Sequence, residues 1–332
     1  MLRLIRGAWL SRALWVAATL GIADLLEAGP RDAVRLAKET GTHAPSLSRL
    51  LRALCTVGVF MQDGDGRFAL TPMGATLRSG VRDSVRAWAT MTLDGEHARA
   101  WDQLMHSVRT GETAFEHVFG QDVWSYRAQH PAHGRAFDEA MRNLAAPFAG
   151  HLLAAYSFAT SRRIVDVGGG DGTLVEAIVT ATPGVRAVLL ELPHVASKAE
   201  PRFRGAGLEH RAEVVAGNVF EAVPAGADAY ILSRVLHDWS DEPAVRILKS
   251  CRQAMPSGSR LVVLERLLPE RLDCSLASEA VALSDLMMMV MNGGRERTEA
   301  EYRALFEAAG LRHSRTVATA GEYSVIEAVP VG

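Results

Sequence analysis

Apolar and polar positions alternate with two rhythms, and the change falls near residue 160. In the first stretch the period is helical. Leu14, Ala17, Ala18, Gly21, Ile22 and Leu25 recur at the spacing of one helix face, predicting a helix over about 8–28 that ends at Gly29-Pro30. A short helix at about 32–40 should stop at Gly41. Ser46 is the expected cap of a third helix, Leu47–Val57, with Leu47, Leu50, Leu51 and Leu54 on one face. Val59-Phe60-Met61-Gln62 and Arg67-Phe68-Ala69-Leu70 then flank Asp63-Gly64-Asp65-Gly66, which reads as a β-hairpin. Helix, turn, helix and hairpin form the outline of a winged helix. Residues 95–158 read as further helices, rich in aromatic side chains. From 162 onward short apolar runs alternate with helical stretches: strands at Arg163–Val167, Ala187–Glu191, Ala212–Ala216, Ala229–Leu232 and Arg260–Glu265, with a helix over 243–254 among those between them. That alternation predicts a Rossmann-like, doubly wound parallel sheet of the α/β class.

The expected organisation is therefore a winged-helix-like module over 1–90, a helical connector over 91–160 and an α/β domain over 161–332. A chain of 332 residues that is 48% hydrophobic has ample material for two cores. Its net charge of −2 provides no positive field for nucleic acid. The third helix carries Arg49 and Arg52, but the hairpin tip carries Asp63 and Asp65, which suits dimerisation better than phosphate contact. Three scattered cysteines, Cys55, Cys251 and Cys274, make neither a disulfide framework nor a zinc site, as expected in a reducing cytoplasm. Arg3, Arg6 and Arg12 before an apolar run imitate a signal peptide. Asp24 and Glu27 interrupt that run, and it is too short to span a membrane.

The candidate chemistry starts at Asp166-Val167-Gly168-Gly169-Gly170-Asp171-Gly172, between a strand and a helix. Glycines there permit positive φ and close backbone approach by a ligand, and the helix start offers free N–H groups. Dinucleotides and methyl donors share such a loop. Asp166 before the glycines suits a ligand with a cationic amino group, such as S-adenosylmethionine, better than a pyrophosphate. Glu191, about twenty residues beyond, stands where an acid takes ribose hydroxyls of either cofactor. Asn218 and Val219, after Gly217, place a polar and an apolar side chain where they could bracket an adenine. No P-loop lysine follows, which argues against nucleoside-triphosphate hydrolysis.

Five segments together are more specific than the loop. They are Asp-Val-Gly-Gly-Gly-Asp-Gly at 166–172, Glu-Leu-Pro-His-Val at 191–195 and Ser-Arg-Val-Leu-His-Asp-Trp-Ser-Asp-Glu at 233–242. Leu-Glu-Arg-Leu-Leu-Pro follows at 264–269, then Gly-Gly-Arg-Glu-Arg-Thr-Glu at 293–299. In this order they resemble the S-adenosylmethionine-dependent small-molecule O-methyltransferases: plant phenolic, acetylserotonin and bacterial antibiotic-tailoring enzymes. The resemblance spans nearly the whole chain, winged-helix dimerisation domain included. It implies His237 as general base, flanked by Glu265 and Glu296. It carries cofactor contacts onto Gly168, Glu191, Val219 and Ser233, with Asp166, Gly170, Gly217, Asn218 and Arg234 close by. Position 218 is Asn where an acid is common, and 233 is Ser where plant members have Lys. S-adenosylhomocysteine would be the product, and no metal is required. The alternative for either acid is simple pairing with Arg266, Arg295 or Arg297.

A free phenol has a pKa of about 10 and histidine about 6.5, so full deprotonation would be uphill by roughly 5 kcal/mol. Alignment of the acceptor oxygen must therefore carry much of the rate. The resemblance implies that Trp124, Phe137, Met141, Met288, Met291 and Asn292, with Asp238 beside the base, meet the acceptor, and the run Met287–Met291 offers adaptable, polarizable surface. A flat polycyclic phenol, polyketide- or phenazine-like, would suit it. The resemblance also implies a cytoplasmic homodimer whose N-terminal helices complete each other's pockets. Two other classes stay open: a relative that methylates nitrogen, decarboxylates or hydroxylates, and a winged-helix regulator.

Overall fold

A computed structural model describes residues 1–81 and 83–332. The chain divides into two compact units: Met1–Arg99 with Pro131–Leu144, and Ala100–His130 with Ala145–Gly332. The division falls within the long helix Pro131–Ala155, three residues before Pro147.

The first unit is helical with one hairpin. Its first helix, Leu2–Thr19, starts earlier and stops sooner than the apolar period suggests. Gly21, at φ 65, breaks the run, and Ile22–Leu25 forms a separate short turn of helix. The third predicted helix runs Ala44–Cys55 from His43, so Ser46 lies inside the first turn, where its hydroxyl meets the His43 ring. Ile22, Leu26, Leu36, Leu51, Phe60 and Phe68 close the core between these helices and the hairpin. The hairpin pairs β1 (Phe60–Gln62) with β2 (Phe68–Leu70). Asp63 accepts the backbone N–H groups of Asp65 and Arg67. At least one acid of the wing tip thus shapes the turn.

The second unit holds a seven-stranded sheet: β3 (Arg163–Val167), β4 (Arg186–Glu191), β5 (Ala212–Ala216), β6 (Ala229–Ser233), β7 (Arg260–Glu265), β8 (Leu311–Ala318) and β9 (Ser324–Pro330), in the order β5-β4-β3-β6-β7-β9-β8. The first five strands are parallel, as the sequence predicts. β9 runs antiparallel to β7 and β8, so the sheet is mixed rather than wholly parallel. Period-two alternation serves two buried faces. Val165, Val167, Tyr230, Leu232, Leu261 and Val263 face one layer of helices, with Ile247, Leu248, Tyr302 and Phe306. Ile164, Ile231, Val262 and Leu264 face the other, with Phe148, Leu152, Val175, Ile178 and Phe203. Because β3, β4, β6 and β7 are parallel neighbours, their carboxyl ends open on the same edge, where ligands bind such sheets. Among the described residues no helix is long and apolar enough to cross a membrane.

Candidate active site

At the end of β3 the chain turns through Gly168 at φ 72, Gly170 at φ 62 and Gly172 at φ 81 before the helix Thr173–Ala181. The tightness of this turn has a local cause. A Cβ on Gly169 would stand 2.2 Å from Asp166 Oδ2, and one on Gly172 would stand 2.6 Å from the Phe203 ring. Asp166 is not the last residue of its strand; Val167 follows it. Its carboxylate is fully buried under the loop, and neither oxygen has a hydrogen-bond partner. Burial, and then the negative Glu191, push its pKa up to about 7 against the pull of Arg234. Glu191, at the end of β4, accepts the Gly170 N–H at 2.9 Å and the Leu192 N–H at 2.7 Å. Gly217 donates to the Glu191 carbonyl at 2.9 Å, and Asn218 Oδ1 is turned back onto the Phe220 N–H at 3.0 Å. Val219 packs on the core nearby. Ser233 ends β6, and Arg234, at φ 56, is the one non-glycine residue with positive φ among those described.

A loop with open space at Gly170, an acid on its rim and an unpartnered buried carboxylate beneath fits a ligand carrying ribose hydroxyls and a cationic amino group. That donor set matches S-adenosylmethionine.

Beyond β6, Leu236–Asp238 forms one 3₁₀ turn bearing His237, which is 8% exposed. Glu265, the last residue of β7 and fully buried, accepts the N–H groups of Val235, Leu236 and His237 with Oε1 at 3.1, 2.9 and 3.4 Å. Its other oxygen lies 3.4 Å from His237 Nδ1. Glu296 Oε1 lies 3.1 Å from the same nitrogen and accepts the Ser284 hydroxyl at 2.6 Å. Asp285 accepts the Glu296 backbone N–H at 2.8 Å. Glu296 accepts at this nitrogen, so Nδ1 is the donor; Glu265 Oε2 stands beside it without a hydrogen bond, and Nε2 is turned the other way, 3.8 Å from Asp238 Oδ1. Asp238 in turn accepts a hydrogen bond from the Asn292 amide.

Charge follows this geometry. Burial opposes a charged imidazole, but Glu265, the Glu296 hydrogen bond and Asp238 outweigh it and raise the His237 pKa to about 9. Burial raises the Glu265 pKa well above the ordinary carboxylate range. Burial acts the same way on Glu296, but His237, Ser284 and Arg266 prevail and hold its pKa low. The His237, Glu265 and Glu296 atoms lie within 4.8 Å of one another, close enough to share a cation; the imidazolium proton supplies positive charge in the same place. The arginines offered as simple partners for these acids pair elsewhere: Arg266 with Glu322, Arg295 with Glu301 and Arg297 with Asp241.

The expected acceptor contacts divide between the units. In the second, Trp124 packs in a cluster with Phe115, Phe119, Met287, Val290 and Met291. Met288 lies one helical turn before Asn292, whose amide reaches its sulfur at 3.9 Å. In the first, Phe137 and Met141 pack around Met91 and Ala140. Trp239 stacks edge-on against Phe220.

Sequence reasoning missed Ser284 and Asp285 on Glu296, and the grip of Glu265 on three backbone N–H groups. It also missed Arg202, whose guanidinium holds Asp171 at 2.9 Å and Glu176 at 2.7 Å behind the glycine loop. The helical spacing of Ser284, Asp285 and Met288 was the one available signal.

Known proteins carry the same plan. The O-methyltransferase domain family matches residues 101–312, and the O-methyltransferase dimerisation domain matches residues 2–80. Phenazine O-methyltransferase PhzM of Lysobacter antibioticus is 41% identical over all of this chain and 96% of its own. The mitomycin biosynthesis 6-O-methyltransferase of Streptomyces lavendulae is 41% identical over 98% of this chain and 92% of its own. The solved structure of NcsB1, an O-methyltransferase from neocarzinostatin biosynthesis in complex with S-adenosylmethionine and 2-hydroxy-5-methyl naphthoic acid, superposes with a TM-score of 0.80 at 36% identity, over 96% of this chain and 95% of that one. The chain belongs to this family and is an S-adenosylmethionine-dependent O-methyltransferase.

Proposed function

We propose that this enzyme methylates a hydroxyl of a flat, polycyclic aromatic natural product, with His237 as general base. The observation that carries the reading is the pair of buried carboxylates beside His237 Nδ1, which leaves Nε2 turned toward Asp238. S-adenosylmethionine supplies the activated methyl group on its sulfonium. Gly168, Gly170, Glu191 and Val219 hold the adenosyl part, with Gly217, Asn218 and Ser233 at its margin; Asp166 and Arg234 face the amino-acid end.

His237 Nε2 takes the proton of the acceptor hydroxyl as its oxygen attacks. Glu296, kept ionised, and Glu265 stabilise the imidazolium that results. At a pKa of about 9 the imidazole comes close to an ordinary phenol in basicity, so the carboxylates remove most of the cost of moving the proton. The aromatic and methionine cluster around Trp124, Met287 and Met291 offers broad apolar contact to a planar ring, which favours polycycles over small phenols. Relatives that act on phenazine and mitomycin scaffolds support this class.

The chain is further proposed to work as a homodimer. Its first helix exposes Leu4, Ile5 and Trp9 within the dimerisation domain.

Incubation with S-adenosylmethionine carrying a labelled methyl and a panel of hydroxynaphthoates, hydroxyphenazines and simple phenols tests the acceptor class. Label should enter the polycycles first; transfer confined to single-ring phenols would refute it. His237→Ala should lose at least about 10²-fold in turnover while binding S-adenosylhomocysteine normally in calorimetry.

A further inference from the structure

Among the described residues Arg297 is the largest fully buried side chain, at 0% exposure, and its pairing with Asp241 is only part of what it does. Its five N–H donors all find oxygen. Nε and Nη2 donate to Asp241 Oδ1 at 3.0 and 2.8 Å. Nη1 donates to the Leu236 carbonyl at 3.0 Å and reaches that of Arg295 at 3.5 Å. Nη2 also donates to the Trp239 carbonyl at 2.8 Å. Leu236 and Trp239 bracket His237 and Asp238, so one planar group holds the turn on both sides of the base.

The turn needs such support. Its own backbone bonds, Asp238 N–H to Val235 and Trp239 N–H to Leu236, are both long at 3.3 Å. The shorter contacts come from outside. Glu265 takes N–H groups on one side, Arg297 gives to carbonyls on the other, and the Arg295 N–H donates to the His237 carbonyl at 2.9 Å. Gly294 permits that approach, since a Cβ there would stand 2.0 Å from the His237 carbonyl oxygen. Burying a guanidinium costs several kcal/mol unless every donor is met, and a lysine, with three donors and no fork, cannot span both carbonyls and Asp241.

We propose that Arg297 is the positioning residue for His237, fixing where Nε2 points. This rests on His237 being the general base, and the test separates the two. Two acceptors from the hydroxylated panel are compared: one with an ordinary phenol, and a nitro-substituted analogue already ionised at assay pH, which needs no base. His237→Ala should lose activity on the first and largely keep it on the second. Arg297→Lys should show the same selectivity, with kcat on the ordinary phenol down about 10²-fold, the loss typical of a small misplacement. Acceptor KM and S-adenosylhomocysteine affinity should stay within about threefold. If His237→Ala loses both acceptors equally, the base assignment fails and this proposal with it. If His237→Ala is selective but Arg297→Lys loses both alike, or neither, only the positioning role is overturned. Should Arg297→Lys not fold, Asp241→Asn loosens the same guanidinium from an exposed position. It should give a smaller but equally selective loss, and an unselective loss, or none, refutes the role.

Discussion

At the residue scale, the decisive property is the basicity of His237. The imidazolium is favoured in the folded protein, where its pKa is about 9, over the unfolded chain at 6.5. The stabilisation it contributes is fully present below pH 6.5 and is lost as pH rises through about 9. As the proposed base, His237 must first be neutral, so activity should move the opposite way. With an acceptor whose own pKa lies well above the range, kcat/KM should climb about tenfold per pH unit from 6 to 8 and level off near 9. A profile that levels near 6.5 would show that the carboxylates do not raise the base in the working enzyme. His237 stands out as a candidate base from its motif; its pKa does not, because Glu265 and Glu296 reach it from 28 and 59 positions further along the chain.

At the scale of elements, the strand–loop–helix unit around 163–181 shows what a glycine can be for. Gly170 stands in open space, and its cost to substitution is the positive φ. Gly169 has an ordinary φ but no room, with Asp166 and Leu189 against it. Gly169→Ala should therefore push the loop off the buried carboxylate and weaken S-adenosylhomocysteine binding at least tenfold in calorimetry, about 1.4 kcal/mol, with Tm lowered by a few degrees. Unchanged affinity would mean that the loop does not contact the ligand. Strand bounds for β3 and β7 could be read from apolar runs because both faces of those strands are buried. β8 and β9 were not foreseen, since Glu327 and Arg315 interrupt their apolar pattern and pair with each other at 3.1 Å. The break of the first helix at Gly21 was missed for a related reason: Gly21 fits the apolar face of a continuous helix, while Arg86 donates to the Ala18 carbonyl and pairs with Asp24 across the break.

At the scale of the molecule, the dimerisation domain and the exposed Leu4, Ile5 and Trp9 predict self-association. Sedimentation should give twice the chain mass at micromolar concentration. Trp9→Asp should shift the protein toward the chain mass, because a charge would be buried in an apolar contact. Sedimentation at the chain mass for the unaltered protein would exclude the homodimer.

The sequence by itself determined the class of the molecule. Period-two apolar runs, helical spacing and the five ordered segments suffice for an α/β sheet, a donor loop and a candidate base, because these are local patterns whose geometry is set within a few residues. Tertiary structure decided the surroundings of the candidate base. Two acids from separate strands and loops meet one ring nitrogen, a serine and an aspartate from a helix hold one of those acids, and a buried arginine clamps the turn that carries the ring. None of these contacts is local, and each depends on burial in a medium where an unmet charge is expensive and a met one is strongly directed.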